Sequence, residues 1–206
     1  MNNRHALLML CLAQIFIGLN IVSAKPLVAH ISISLIIFLR FGFCSILLYA
    51  LCRILGKPLN RDSYGNKLAL QDIFMVALQG LCGGVLFNFL MLNGLLYTDA
   101  TTAGIISSTT PAMIALLSLW LLKEKLSTRK ITTIIFAVLG IICLHLNVLN
   151  DSNVASSLLG NILVMASVIP EAMFTIIAKL QRTPIPALVA AAISNIANAL
   201  FCFPIA

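Results

Sequence analysis

Charge is scarce in this sequence, and acidic charge scarcest: 206 residues carry 13 Lys or Arg and 6 Asp or Glu, 9% charged in all against 61% hydrophobic. A soluble domain of this size cannot cover that much apolar surface, and a mean hydropathy of +1.07 agrees, so the chain reads as a polytopic membrane protein. The apolar runs hold one acid, Glu171, and one base, Arg40, while His145 lies near the end of another run. No second acid or paired nucleophile accompanies them, which excludes a hydrolytic centre. The six cysteines (Cys11, Cys44, Cys52, Cys82, Cys143, Cys202) form no CxxC pair and have no histidine at ligand spacing. They read as small core residues, and neither a metal nor a cofactor is expected. His5, His30 and His145 are scattered near the ends of runs as interface residues. The net charge of +7 is spread over short loops instead of one face, so nucleic acid is not an expected partner.

What the sequence has in abundance is long uncharged stretches. Ala6 to Ala24, Ile33 to Cys52, Ile73 to Tyr97, Ala100 to Leu122, Ile131 to Leu149, Leu158 to Ala178 and Ile185 to Ala206 predict seven membrane-spanning helices, since about 20 apolar residues cross about 30 Å of hydrocarbon. Val22, Ser23 and Ala24 suit a signal-peptidase site, but the preceding core is long and holds Gln14 and Asn20, so the first run is expected to stay as a span. Pro58, Asn60, Gly65 and Asn66 mark an aqueous loop, and Gly80 with Gly84 a small-residue contact face. Only Thr98 and Asp99 separate the third and fourth spans, which predicts a tight antiparallel hairpin. With the N-terminus in the cytoplasm, eleven of the basic residues fall in cytoplasmic segments, Lys25 lies outside and Arg40 lies within a span. Ala206 falls where the seventh span just reaches the outer surface, so the sequence is expected to stop short of a longer protein.

The fourth span is the most informative. On a 100° helical wheel Gly104, Ser107, Ser108, Pro111, Ala115 and Ser118 share one face, with Ile106, Met113, Leu117 and Trp120 opposite. The small polar face is expected to meet helices or a wet cavity and the bulky one lipid. Pro111 cannot donate to the carbonyl of Ser107, so a kink is predicted mid-membrane beside the hydroxyls. Interrupted helices at that depth are a way of building a solute site.

Ala24-Lys25 and Ala178-Lys179 close the first and sixth runs, a faint internal echo 154 positions apart. A repeated unit of five spans would enter the membrane upside down, as the charge count requires. The runs GLNIVSAK (Gly18 to Lys25), Arg40-Phe41, and LLYTDATTAGIISSTTPAMIALLSLWLLKEKLS (Leu95 to Ser127) resemble the EamA-type repeat of the drug/metabolite transporter superfamily. The resemblance covers one repeat over residues 6–146 and the start of a second over 158–206. It implies an all-α membrane helix bundle of inverted five-span repeats, the second incomplete, that moves a small organic solute across the bacterial inner membrane. Its expected partners are the lipid bilayer and that solute, with a homodimer left open. Three spans of the usual ten are missing, and Pro170-Glu171 stands where the family more often has aromatic or small residues.

Arg40 lies roughly 10 Å below the end of its span, where arginine costs about 2.5–3.5 kcal/mol to insert. It either contacts an anionic group of the solute or ties helices together through carbonyls. Glu171 lies roughly 20 Å deep, too far for an easy pairing with Arg40. A carboxyl there is costly to ionise, so it is a proton-coupling or cation-contacting candidate, or else a partner for backbone freed at Pro170. Asn20, Asn88 and Asn93 are expected to bond between helices or to line a cavity. The candidate site is therefore Asn20, Arg40, Asn88, Ser107, Ser108, Pro111 and Glu171. Glu124, among basic neighbours, reads as a loop salt-bridge partner. A membrane protein without transport is the competing reading; a retinal protein is disfavoured because the seventh run has no lysine for a Schiff base.

Overall fold

In a computed structural model the chain is described over residues 3–123 and 158–204, with single helical positions at 128, 131, 132, 135, 136 and 139. Among the described residues every regular element is a helix, apart from an isolated β-bridge between Arg61 and Lys67. In chain order these are α1 (Asn3–Val28), α2 (Ile33–Ile54), α3 (Leu70–Leu81), α4 (Phe87–Tyr97), α5 (Ala100–Ser107), α6 (Thr110–Leu122), α7 (Leu158–Leu180) and α8 (Ala187–Cys202). A π-helical turn, Cys82–Leu86, joins α3 to α4 as one span.

Among the described residues five stretches are long and apolar enough to cross a membrane: Leu7–Val28, Ile33–Ile54, Leu70–Tyr97, Ala100–Leu122 and Leu158–Leu180. The chain is thus a multi-pass membrane protein. The expected fifth span, Ile131 to Leu149, lies outside the described residues for most of its length. The expected seventh, Ile185 to Ala206, is corrected: its helix is only the 16 residues of α8. At 1.5 Å per residue that is about 24 Å, short of the hydrocarbon thickness. Prolines account for the shortening, because Pro184 and Pro186 hold the entry extended and Pro204 disfavours helix at Phe203 beyond.

The first span is longer than its uncharged run. Lys25 does not start a loop; α1 continues through Lys25 and Pro26 to Val28. The Lys25 ammonium, which could not otherwise sit beside apolar helices, donates to the carbonyls of Leu95 and Thr98 at the end of α4. Those carbonyls lack intrahelical donors, and a cation suits the negative end of a helix.

Packing follows small residues. The helix α2 lies along α8, and α4 along α7. A Cβ on Gly94 would fall 2.6 Å from a Val164 methyl, and one on Gly160 would fall 2.8 Å from the Tyr97 carbonyl carbon, so neither α4 nor α7 tolerates a side chain where they cross. Ile21, Ile37, Leu92, Leu95, Ala103, Ile106, Val164 and Val168 form a core near the Thr98 end of the bundle. A smaller one of Cys52, Val76, Val189, Ala192 and Ile193 fills the Lys57 end. There the Ser63 N–H donates to the Pro184 carbonyl at 2.9 Å and the Thr183 hydroxyl to Asp72 at 2.8 Å, pinning the loop 55–69 and the first turn of α3 to the entry of α8.

Two further expectations are corrected. Cys52 and Cys202 are core residues, but Cys11 and Cys44 are exposed on the flanks of the bundle. In the fourth span Ile106, expected to face lipid, is 3% exposed, while Ser108 and Pro111, expected inside, are exposed. The wheel assumed one unbroken helix; the break after Ser107 resets the angular register, so α5 and α6 each present their own face. From Ala115 onward in α6 the expected face returns, with Ala115 and Ser118 buried and Trp120 76% exposed.

Candidate functional site

The break in the fourth span is the first half of the site. Because Pro111 has no N–H, the Ser107 carbonyl loses its usual donor. The Thr110 hydroxyl lies 2.7 Å from it and takes that place. The two hydroxyls before it repeat the pattern one residue back each: Ser108 to Ile105 at 2.6 Å and Thr109 to Ile106 at 2.7 Å. The Ile105 and Ile106 carbonyls also accept from the Ser108 and Thr109 N–H groups, so of the three hydroxyls only that of Thr110 supplies a donor the proline removed. The Ser107 hydroxyl itself is buried without a partner.

The same Thr110 oxygen is 2.7 Å from Oε2 of Glu171, on α7 one residue past Pro170. A threonine hydroxyl has one proton, yet both of these neighbours are acceptors when the carboxyl is ionised. Both contacts are satisfied together when Glu171 carries a proton and donates to Thr110, which then donates to Ser107. Two proline-bearing helices are joined by one short polar chain.

The second half is at the π turn. The Phe87 N–H reaches back five residues to the Cys82 carbonyl, widening the helix. Such turns collect at functional sites. The Gly84 carbonyl accepts from the Asn88 amide at 2.7 Å, and the Asn88 carbonyl oxygen accepts from the Arg40 guanidinium at 3.0 Å. Arg40 is half-buried, held by an amide between α2 and α4 and not by Glu171. On the other side of the turn, Gly80 and Gly84 face Ser194 and Asn198 of α8, a four-residue spacing met by a four-residue spacing. A Cβ would sit 2.8 Å from the Ser194 Cβ and 2.1 Å from the Asn198 Nδ2 respectively. Phe174 lies over Gly83, with its ring 2.6 Å from where a Cβ would be. Between these groups is a cleft of about 410 Å³.

The expected site residues therefore separate. Arg40 joins Asn88, and Glu171 joins the turn that Ser107 and Pro111 define. Ser108 instead borders a shallow cleft between α1 and α5, and Asn20 is exposed on α1 with its side chain in neither cluster. Asn93 does not bond between helices either; its amide donates to the Phe89 carbonyl of its own helix at 2.7 Å.

At the Thr98 end, the buried Thr98 hydroxyl donates to Asn161 of α7 at 2.8 Å, beside the Lys25 contact. The Asp99 carboxylate accepts from the Thr102 N–H at 2.9 Å and caps α5. Burial raises this carboxyl, but the Thr102 hydroxyl and backbone bonds outweigh it and hold Asp99 below the ordinary carboxylate range.

Residues 4–146, which hold the interrupted fourth span and the π turn, match the EamA-like transporter family. The chain belongs to that family. Of its curated relatives, one named as an uncharacterized transporter, YetK, from Bacillus subtilis (strain 168) is 34% identical over 200 residues, 96% of this chain and 58% of its own length. Another, an uncharacterized transporter from Archaeoglobus fulgidus, is 27% identical over 172 residues, 84% of this chain and 56% of its own length. The chain thus spans under three fifths of either relative. No solved structure matches it.

Sequence reasoning about this EamA-like chain missed Thr110, Asn161, Asn198 and the π turn. Three of the four had a signal. Thr110 precedes Pro111, and Asn161 and Asn198 are carboxamides inside apolar runs, as costly there as the asparagines that were singled out.

Proposed function

We propose that the chain is part of a secondary transporter that moves a small organic solute across the bacterial inner membrane by alternating access. In this reading residues 6–146 are a first five-span repeat, residues 158–206 begin an inverted second one, and the N-terminus is cytoplasmic. Arg40, Asn88, Ser107, Pro111 and Glu171 lie along the solute path, with Arg40 available to an anionic group of the solute.

The observation that carries this reading is the Glu171 to Thr110 to Ser107 chain across the break. When Glu171 releases its proton, Thr110 must turn its own proton toward the carboxylate, and the Ser107 carbonyl loses its donor. Protonation of one side chain and the bonding of the broken turn are then a single equilibrium, as a proton-coupled rocking step requires. Membership of a family whose curated members are named transporters supports the same conclusion.

A panel of labelled solutes offered to membrane vesicles carrying the chain, with and without an imposed pH gradient, tests it. Glu171→Gln should lose gradient-driven uptake by at least about tenfold while keeping solute exchange at equal pH, since glutamine holds the bonded geometry but carries no releasable proton. Uptake that responds to the gradient equally in the variant removes Glu171 from the mechanism. No uptake of any solute would favour a membrane protein without transport.

A further inference from the structure

We propose that the cleft between the third span and α8 binds an uncharged solute bearing a carboxamide, or an equivalent donor and acceptor pair, beside a flat apolar body. Its role in transport rests on the reading above; its binding does not. The cleft, about 410 Å³, is large enough for a small organic molecule. Phe41 and Phe174 supply ring surface and are seated against Gly84 and Gly83 respectively. Among the described residues, none of its lining side chains is charged.

Its polar lining is unevenly committed. The Ser194 hydroxyl donates to the Val76 carbonyl at 3.2 Å, and the Asn195 amide to the Ala191 carbonyl at 2.8 Å. Asn198 is 2% exposed, and its Oδ1 is enclosed with no donor. An amide buried that deeply with an unmet acceptor is costly, so this oxygen calls for a donor that the described residues do not supply. Rotation about Cβ–Cγ exchanges its oxygen and nitrogen, so a ligand offering both a donor and an acceptor pairs with it in either orientation. A carboxylate offers only acceptors, and an ammonium finds no counter-charge in the cleft. An aromatic carboxamide satisfies the amide and the two rings together.

The test is ligand-observed NMR on the full chain in lipid nanodiscs, with benzamide as probe and benzoate and benzylammonium as comparators. Benzamide should bind saturably, neither charged molecule should displace it, and Asn198→Leu should weaken it at least tenfold. Asn198→Asp, nearly the same shape, should gain binding of benzamidinium, a result that misfolding cannot produce. Absence of saturable benzamide binding, equal binding of benzoate, undiminished binding to folded Asn198→Leu, or no gain in Asn198→Asp overturns the proposal. Saturable binding with no uptake of any solute would sink the transport reading alone. Uptake of a solute by the parent chain with no saturable benzamide binding would sink this one alone.

Discussion

The third and fourth spans are both interrupted within the membrane, by opposite means. In the third, nothing is removed: the π turn at Cys82–Leu86 spreads the helix by one residue and every N–H still finds a carbonyl, with Phe87 reaching Cys82. In the fourth, Pro111 takes a donor away from the Ser107 carbonyl and the Thr110 hydroxyl replaces it, while the Ser108 and Thr109 hydroxyls add second bonds to the Ile105 and Ile106 carbonyls. The first interruption is held from outside, by α7 and α8 pressed onto Gly80, Gly83 and Gly84. The second is held largely from within. Adding volume should therefore damage the third span most, and removing hydroxyls the fourth.

The largest effect is expected at Gly80. A Cβ there would lie 2.8 Å from the Ser194 Cβ and 3.0 Å from its Cα, and backbone cannot swing aside as a side-chain tip can. Gly80→Leu should cost more than about 3 kcal/mol or prevent recovery of monodisperse protein, read as the unfolding midpoint in mixed micelles. Gly84→Ala meets only the Asn198 amide and the Phe41 ring and should cost less. A Gly80→Leu protein as stable as the parent would break the comparison at its root.

Thr110 comes next. Thr110→Val keeps the shape but leaves the Ser107 carbonyl without its donor and Glu171 without its partner, and should cost roughly 1–3 kcal/mol in the same assay. Thr110→Ser should restore most of it. Valine tolerated without loss would mean that the break is held by neighbouring helices after all, and the two spans would no longer differ.

The hinge between the two spans adds a pH dependence. Asp99 is held below its ordinary value, so its contribution to stability is fully present above about pH 4, near the unbonded value of 3.8, and is lost as pH falls through the lower folded value. Asp99→Ala should cost about 1 kcal/mol at pH 7, as lost helix caps do. Asp99→Asn, itself a good cap, should be near neutral there and flatten the decline in thermal midpoint below pH 4. The flattening is only partial because Asp62 has the same sign: burial raises it slightly, and bonds from Asn66, Tyr64 and Gly65 more than reverse that.

Much of this architecture is legible in the residues. The fourth span is found where its uncharged run lies, and the third starts three residues early, at Leu70, because a run bounded by turn-forming loops has few ways to shift. Other features depend on distant partners. Lys25 looked like a loop residue because its two carbonyl acceptors are 70 and 73 positions away. The face of the fourth span was misread because a wheel cannot know that its helix restarts after a break, although Pro111 announced the break itself. The role of Asn198 emerges only when α8 lies against the third span, and the clue was a shared spacing, Gly80 and Gly84 against Ser194 and Asn198.

The smallest effect sharpens the contrast most, because it concerns the same residue type. Gly104 lies in α5, inside the fourth span, and on the helical wheel it belongs to the contact face as clearly as Gly80 does in the third. In the folded chain a Cβ there would meet none of the described residues within 4 Å. Its freedom in the unfolded state is then a cost with no packing return, and Gly104→Ala should stabilise the protein by about 0.5–1 kcal/mol. If it destabilises instead, the fourth span is held by close contact just as the third is, and the hydroxyl ladder beside Pro111 is not sufficient to hold it.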